Sequence, residues 1–315
     1  MLRRGGNELF YTWDGRVDAD EKSKRIHQVV KNVPIEDVQV SQFRDIGLVG
    51  FECDEGVRRN LGRIGAAEAP NYLRKWMGSL SYEGKKNIID LGNIPCVDQE
   101  LEYAQEQLGK HVAKLIEKNY TPIILGGGHE TFYGHYLGVR EAIGDDKKIG
   151  IINIDAHFDM RKDATPSSGT MFRQIIEADS NADYLCVGIQ TMGNTQELFD
   201  TAEHYDVAYV RKEEIHPIEH TLKKIDTFAS AYDFVLFTIC TDVINQAYAP
   251  GVSAPAPFGI DPETLRKLTE RVVKQSNFLS IDVSEVNPSL DVANQTSRLM
   301  AYIIGEVMHN LQRDY

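Results

Sequence analysis

The segment Asp155-Ala156-His157-Phe158-Asp159 directly follows an apolar run and places two carboxylates and an imidazole at alternate positions. In an extended backbone, alternate side chains point to the same side, so these three side chains would converge. Carboxylate oxygens and imidazole nitrogens bind divalent cations, whereas neighbouring carboxylates without a cation would repel each other. The spacing therefore predicts a metal site that includes Asp155, His157 and Asp159.

A glycine turn leads into a second candidate ligand. The apolar run 122–125 is followed by three glycines at 126–128 and then by His129. Glycines permit a tight turn, which would present His129 at the tip of a strand and beside the first cluster. A glycine turn can also hold a phosphate at a helix N-terminus, but the turn carries neither a GK[ST] nor a GxGxxG pattern. Nucleotide binding is therefore the weaker alternative.

The apolar run 234–239 ends in Cys240-Thr241-Asp242, which offers a thiol and a carboxylate two positions apart. Both side chains would lie on one face of a strand end, so both are candidate metal ligands. A packed thiol at Cys240 and a helix cap at Asp242 are the alternative interpretations.

A fourth apolar run, 278–283, is followed by Glu285-Val286-Asn287-Pro288, which places a carboxylate just before a turn. A purely structural ion pair with an arginine is the alternative interpretation of Glu285. Its position relative to the other three strand ends instead predicts contact with a substrate.

These four sites must be positioned by a regular scaffold, and the apolar pattern predicts one. Short runs rich in Ile, Val and Leu recur with helix-like stretches such as 100–118 and 261–274 between them. Continuous apolarity is typical of strands that are covered on both faces, and strands that alternate with helices form mostly parallel sheets. The sequence therefore predicts an α/β fold with three α/β/α layers. The predicted strands are 45–51, 87–91, 121–125, 148–154, 183–187, 207–210, 234–239 and 278–283. In such sheets, ligands bind beyond the carboxyl ends of the strands, where the candidate residues fall.

Composition narrows the class of protein. The chain has 315 residues, 42% of them apolar, and its 34 Lys+Arg against 47 Asp+Glu give a formal net charge of −13. This charge argues against nucleic-acid or anionic-membrane partners. Four cysteines without paired spacing are typical of a reducing compartment, and no apolar stretch of signal-peptide length follows the N-terminus. We therefore expect a cytoplasmic protein with one catalytic domain over residues 1–315, of which residues 1–40 form a peripheral N-terminal segment.

Four ordered motifs carry a family resemblance: GGGH at 126–129, DAHFD at 155–159, TICTD at 238–242 and EVNP at 285–288. In this order and at this spacing, they resemble the signatures of the arginase-like ureohydrolase superfamily. The blocks at 13–16 and 249–256 are most similar to its formimidoylglutamase branch. The resemblance covers most of the chain.

The resemblance implies two manganese ions per subunit. His129 and Asp159 would serve one ion and His157 and Asp242 the other, while Asp155 and Cys240 would bridge them. The family usually has an aspartate at position 240, and also one at position 128, where this chain has a glycine. A soft thiolate suits Mn²⁺ poorly, so the occupancy of one site stays open.

The resemblance also implies hydrolysis of N-formimidoyl-L-glutamate to L-glutamate and formamide, a step of histidine degradation. In this interpretation Asp159 transfers a proton, Glu285 holds the formimidoyl group, and Arg161 and Ser168 bind a substrate carboxylate. The alternatives are another ureohydrolase that releases urea, such as an agmatinase or guanidino-acid hydrolase, and a non-catalytic metal-binding member of the fold. Family members are commonly oligomers, so a homo-oligomer is a further expectation.

Overall fold

A computed structural model describes residues 3–5 and 8–311 of the chain. The strands are β1 Arg3–Gly5, β2 Glu8–Phe10, β3 Val30–Asn32, β4 Asp45–Glu52, β5 Ile88–Pro95, β6 Tyr120–Leu125, β7 Ile149–Ile154, β8 Ala182–Ile189, β9 Ala208–Arg211, β10 Phe234–Cys240 and β11 Phe278–Ser284. The α-helices are α1 Ile26–Val29, α2 Glu55–Arg59, α3 Ala69–Met77, α4 Leu101–Glu117, α5 Thr131–Ile143, α6 Met171–Ala178, α7 Gln196–His204, α8 Ile218–Ala229, α9 Pro262–Val273 and α10 Gln295–Asn310.

The described strands form one sheet in the order β1-β2-β5-β4-β6-β11-β10-β7-β8-β9, and β3 also pairs with β5. The pairings are parallel except for those of β1 with β2 and of β2 with β5. Each predicted strand overlaps one of these strands. The predicted α/β fold with a mostly parallel sheet is therefore confirmed.

The apolar core lies on both faces of the sheet. Along β7, Ile152 and Ile154 belong to one buried cluster, whereas Ile149 and Ile151 belong to the other. Successive residues of a strand face opposite sides and alternate residues share a side, so both faces of β7 are covered. This arrangement gives the three layers that the continuous apolar runs predict.

The helices follow from local sequence signals. Asp261 precedes α9 and accepts a hydrogen bond from the Thr264 backbone N–H at 3.0 Å, and Pro262 occupies the first helical position. Helix α10 buries Ile303 and Val307 and packs against α3 and α9. None of the described helices is long and apolar enough to cross a membrane.

The centre of the sheet positions the site. Strands β6, β11, β10 and β7 are consecutive neighbours, and all of their mutual pairings are parallel. Their carboxyl ends therefore lie side by side. The segments that follow these four strands carry the four motifs.

Candidate metal centre and active site

The glycine turn after β6 is held by backbone contacts. The Gly128 N–H donates to the Cys53 carbonyl at 2.9 Å, and a Cβ atom at Gly127 would lie 1.9 Å from the same oxygen. Glycine is thus required by close approach of two chain segments. The turn places His129 at the start of α5, with its side chain 1% exposed. The His129 N–H donates to Glu285 Oε1 at 2.8 Å, which joins the turn to the segment after β11.

His129 Nδ1 lies between two carboxylates of the segment after β7. It is 3.1 Å from Asp155 Oδ2 and 2.9 Å from Asp159 Oδ2. Strand β7 ends at Ile154, and Asp159 has a φ of 50°. The expectation of an extended backbone through Asp159 is therefore wrong: a left-handed residue, rather than strand alternation, turns this carboxylate towards His129.

His157 and Asp242 form the other half of the cluster. His157 Nδ1 is 3.2 Å from Asp242 Oδ2 and 3.6 Å from Asp155 Oδ1. The His157 N–H also donates to Asp155 Oδ1 at 2.8 Å, which fixes the turn. Asp242 lies in a short 3₁₀ turn after β10, and its buried Oδ1 has no hydrogen-bond partner among the described residues. A buried carboxylate oxygen without a protein partner is available to ligate a metal ion.

The donor atoms fall into two overlapping groups. His129, Asp155 and Cys240 each offer one ligand atom within 4.8 Å of the others, and so do Asp155, His157 and Asp242. Asp155 belongs to both groups, as a bridging ligand would. Cys240 is 2% exposed. Nitrogen, oxygen and sulfur donors at this spacing fit two divalent transition-metal ions.

The charged groups of the cluster shift one another's pKa. Burial alone would lower the pKa of His129, but hydrogen bonds and charges from Asp155 and Asp159 raise it well above its ordinary value. Burial opposes ionisation of Asp155, yet hydrogen bonds from His129 and His157 hold its pKa well below the usual range. Burial and the charge of Asp155 raise the pKa of Asp159 to about 6. Because the carboxylates repel one another, a divalent cation would stabilise the ionised cluster.

Behind His129 lies a support that sequence reasoning missed. His129 Nε2 is 3.0 Å from Thr238 Oγ1, which donates to Asp282 Oδ1 at 2.8 Å. Asp282 Oδ2 is 2.8 Å from His135 Nδ1. All four side chains are buried. A metal-ligating imidazole is typically oriented by such a contact to its second nitrogen.

The cluster opens into a cavity of about 320 Å³. Glu285, Arg161 and Ser168 line it, as the sequence predicts for substrate contacts. Glu285 has a φ of 68°, and burial, with the charges of Glu130 and Asp242, raises the pKa of its carboxyl well above the ordinary value.

Further polar residues of the lining were not predicted. They are Asn60, Arg63, Asn194 and Ser253, none of which belongs to the four motifs. Arg63 lies in a further block of the resemblance, Gly62-Arg63-Ile64-Gly65-Ala66, and Ser253 lies in the block at 249–256, but neither residue was assigned a role.

Comparison with known proteins gives a family match over residues 44–309, described as "Arginase family". A formimidoylglutamase of Lysinibacillus sphaericus (strain C3-41) is 48% identical over 307 residues, which are 95% of each chain. A formimidoylglutamase of Geobacillus sp. (strain WCH70) is 46% identical over 308 residues, covering 96% of this chain and 95% of the other.

Two solved structures share the fold. A formimidoylglutamase from Bacillus subtilis subsp. subtilis str. 168 superposes with a TM-score of 0.85 at 22% identity, covering 95% of each chain. A Trypanosoma cruzi formiminoglutamase with Mn²⁺ superposes with a TM-score of 0.78 at 23% identity, covering 90% of this chain and 100% of the other.

Proposed function

This chain belongs to the arginase family, and we propose that it hydrolyses N-formimidoyl-L-glutamate to L-glutamate and formamide in histidine degradation, with two Mn²⁺ ions as cofactors. The observation that carries the proposal is the cavity, in which the metal-ligand cluster, Glu285 and two arginines meet. A substrate with one amidine and two carboxylates matches this lining. Relatives named formimidoylglutamase at 46–48% identity support the same substrate.

We assign the metal ligands from the donor set. By resemblance to the family, His129 and Asp159 would hold one ion, His157 and Asp242 would hold the other, and Asp155 and Cys240 would serve both. Of these last two, Asp155 belongs to both groups of ligand atoms, and Cys240 belongs to the group that contains His129. When bound, the ions supply Lewis acidity that generates a nucleophile from water near neutral pH.

The chain's own residues then bind the substrate and transfer the proton. The formimidoyl carbon gains the oxygen of water, and its bond to the glutamate nitrogen breaks. Asp159 takes up a proton on its carboxylate and passes it to the departing nitrogen. Asp159 lies 2.9 Å from His129 Nδ1 and lines the cavity, so its carboxylate is within reach of both the water-derived proton and the substrate.

Glu285 holds the cationic formimidoyl group. Its Oε1 accepts from the His129 N–H, and no described residue donates to Oε2, which is left for an N–H of the substrate. A cation in the cavity would restore the ionised form of this buried carboxyl. Arg161 and Ser168 would then contact a carboxylate at the other end of the substrate.

The remaining predictions belong to this proposal. We propose one catalytic domain over residues 1–315 with residues 1–40 as a peripheral segment, a cytoplasmic location, and a homo-oligomeric state. The free thiols support the location.

A substrate panel with added Mn²⁺ tests the function. We expect formamide from formimidoylglutamate and no urea from agmatine or 4-guanidinobutyrate, because agmatine has no carboxylate for the two arginines and 4-guanidinobutyrate has only one. Asp155→Ala should abolish turnover with the fold retained by circular dichroism, since it removes the ligand shared by both groups. Urea as the product would identify a different ureohydrolase. Bound metal with no turnover of any amidine or guanidine would identify a non-catalytic member of the fold.

A further inference from the structure

The cavity carries few positive side chains. Among the described residues that line it, Arg63 and Arg161 are the only lysines or arginines, whereas Asp159, Asp242 and Glu285 are acidic. The substrate of the proposed function carries two carboxylates. A carboxylate in a cavity with this acidic lining requires a cationic partner.

We propose that Arg63 is a specificity-determining residue that binds one of the two substrate carboxylates while Arg161 binds the other. This inference rests on the proposed function and assigns its substrate contacts. A guanidinium keeps its charge and presents its N–H donors in a fixed plane, so it suits a carboxylate better than the ammonium of lysine.

The guanidinium of Arg63 is held in a defined place. Its Nε donates to the Ser253 carbonyl at 2.9 Å, and its Nη2 donates to the Val252 carbonyl at 2.9 Å. No described residue accepts a hydrogen bond from Nη1, which leaves donors for a ligand. A side chain fixed in advance loses less conformational entropy when it binds.

The backbone around Arg63 is also held by contacts that do not involve this guanidinium. Asn287 Nδ2 donates to the Arg63 carbonyl at 3.1 Å and to the Ile64 carbonyl at 3.0 Å. The Gly65 N–H donates to Asp54 Oδ2 at 2.6 Å. Removal of the side chain should therefore leave the loop in place.

The two arginines belong to one connected rim. Asn60 Nδ2, three residues before Arg63, donates to Ser168 Oγ at 3.1 Å. The next residue, Gly169, accepts a hydrogen bond from the Arg161 N–H at 2.8 Å. The Arg161 guanidinium has no ion-pair partner within the part of the chain that the structure describes. Both guanidinium groups are thus available to bind a ligand in the same cavity.

The experiment compares three substrates. N-Formimidoyl-L-glutamate is the full substrate, N-formimidoyl-4-aminobutyrate lacks the α-carboxylate, and N-formimidoyl-2-aminobutyrate lacks the side-chain carboxylate. Wild-type enzyme should favour the full substrate over both analogues in kcat/KM. In Arg63→Ala, the preference over one analogue should fall at least tenfold, equivalent to about 1.4 kcal/mol. In Arg161→Ala, the preference over the other analogue should fall instead.

Matched variants separate binding from loop shape. Arg63→Gln retains a donor for the neighbouring carbonyls without the charge and should behave like Arg63→Ala, whereas Arg63→Lys should recover part of the preference. Arg58→Ala is the control, because Arg58 pairs with Glu55 on the same segment and does not line the cavity. Its preferences should equal those of wild type.

Two results would overturn the inference while leaving the proposed function intact. In the first, Arg63→Ala lowers kcat/KM equally for all three substrates, which is the signature of a loop-shaping residue. Alternatively, both arginine variants lose preference over the same analogue. A wild-type enzyme that does not hydrolyse formimidoylglutamate contradicts the proposed function itself, and the inference with it.

Discussion

Cys240 differs from the other candidate ligands because its donor is sulfur. Burial, with the charges of Asp155 and Asp242, raises the pKa of its thiol well above the ordinary value, so a bound ion must displace the proton. Thiolate suits softer ions than Mn²⁺. We predict that Cys240→Asp binds Mn²⁺ more tightly and moves the stoichiometry towards two ions, whereas Cys240→Ala binds less. Equilibrium dialysis with metal analysis measures both.

Cys186 provides the matched control for this prediction. It is fully buried and its thiol approaches the His157 carbonyl at 3.5 Å, but it belongs to neither group of ligand atoms. Cys186→Ala should therefore retain the wild-type metal content. Identical affinity and stoichiometry in the three forms at position 240 would show that this residue is not a ligand.

The convergence of the candidate ligands could be predicted from the sequence, but most of the contacts around them could not. The residues after β6, β7 and β10 were predicted to meet because parallel strands share one edge, and the structure brings them together. Their roles stay predictions. The contacts of Arg63 and Thr238 were not predicted, because their partners Ser253 and Asp282 lie in distant segments of the chain. The left-handed φ of Asp159 also has no signal in a strand pattern.

At the scale of elements, strands β10 and β11 position the His129 imidazole through contacts to its Nε2. Thr238 on β10 joins the imidazole to Asp282 on β11. We predict that Thr238→Val, which keeps the shape but removes the hydroxyl, lowers metal affinity by about 10–100-fold. Calorimetric titration of the metal-free protein with Mn²⁺ measures the change.

A buried threonine elsewhere serves as the comparison. Thr221 donates to the Ile215 carbonyl at 3.0 Å, away from the cavity. Thr221→Val should lose a similar amount of stability and retain metal affinity. Equal affinities in the Thr238 and Thr221 variants would mean that the hydroxyl does not orient His129.

The apolar pattern predicted the strands that are buried on both faces, and also the partly buried β9, but not the short exposed β3. β7 and β10 are buried along nearly their whole length, so their runs stand out in the sequence. β3 is half-exposed to exposed, and it is three residues long. The composition of β3 does not favour a strand, and its extended conformation is instead stabilised by pairing with Ile88–Asp90 on β5. Such short edge strands follow from tertiary contact rather than from local pattern.

At the scale of the molecule, metal binding should stabilise the fold. Asp155 and Asp159 repel each other in the cluster, and binding to the folded state alone adds about 2.7 kcal/mol at a free metal concentration of 100 Kd. We predict that chelation lowers Tm by several degrees and that Mn²⁺ restores it. Differential scanning fluorimetry measures the shift. Asp155→Ala should show no Mn²⁺-dependent rise; a rise of wild-type size would place the stabilising ion elsewhere.

The pairing of β2 and β3 with the outer edge of β5 has a consequence for aggregation of the enzyme at high concentration. β3 pairs along the first part of its outer edge, and β2 pairs at Asn93. Without residues 1–33, this eight-residue strand would offer a row of unpaired backbone groups to a second molecule. We predict that such a truncated chain aggregates by edge-to-edge strand pairing, whereas the full chain stays dispersed. Light scattering at matched concentrations distinguishes the two, and equal scattering would show that the N-terminal strands do not protect the sheet from aggregation.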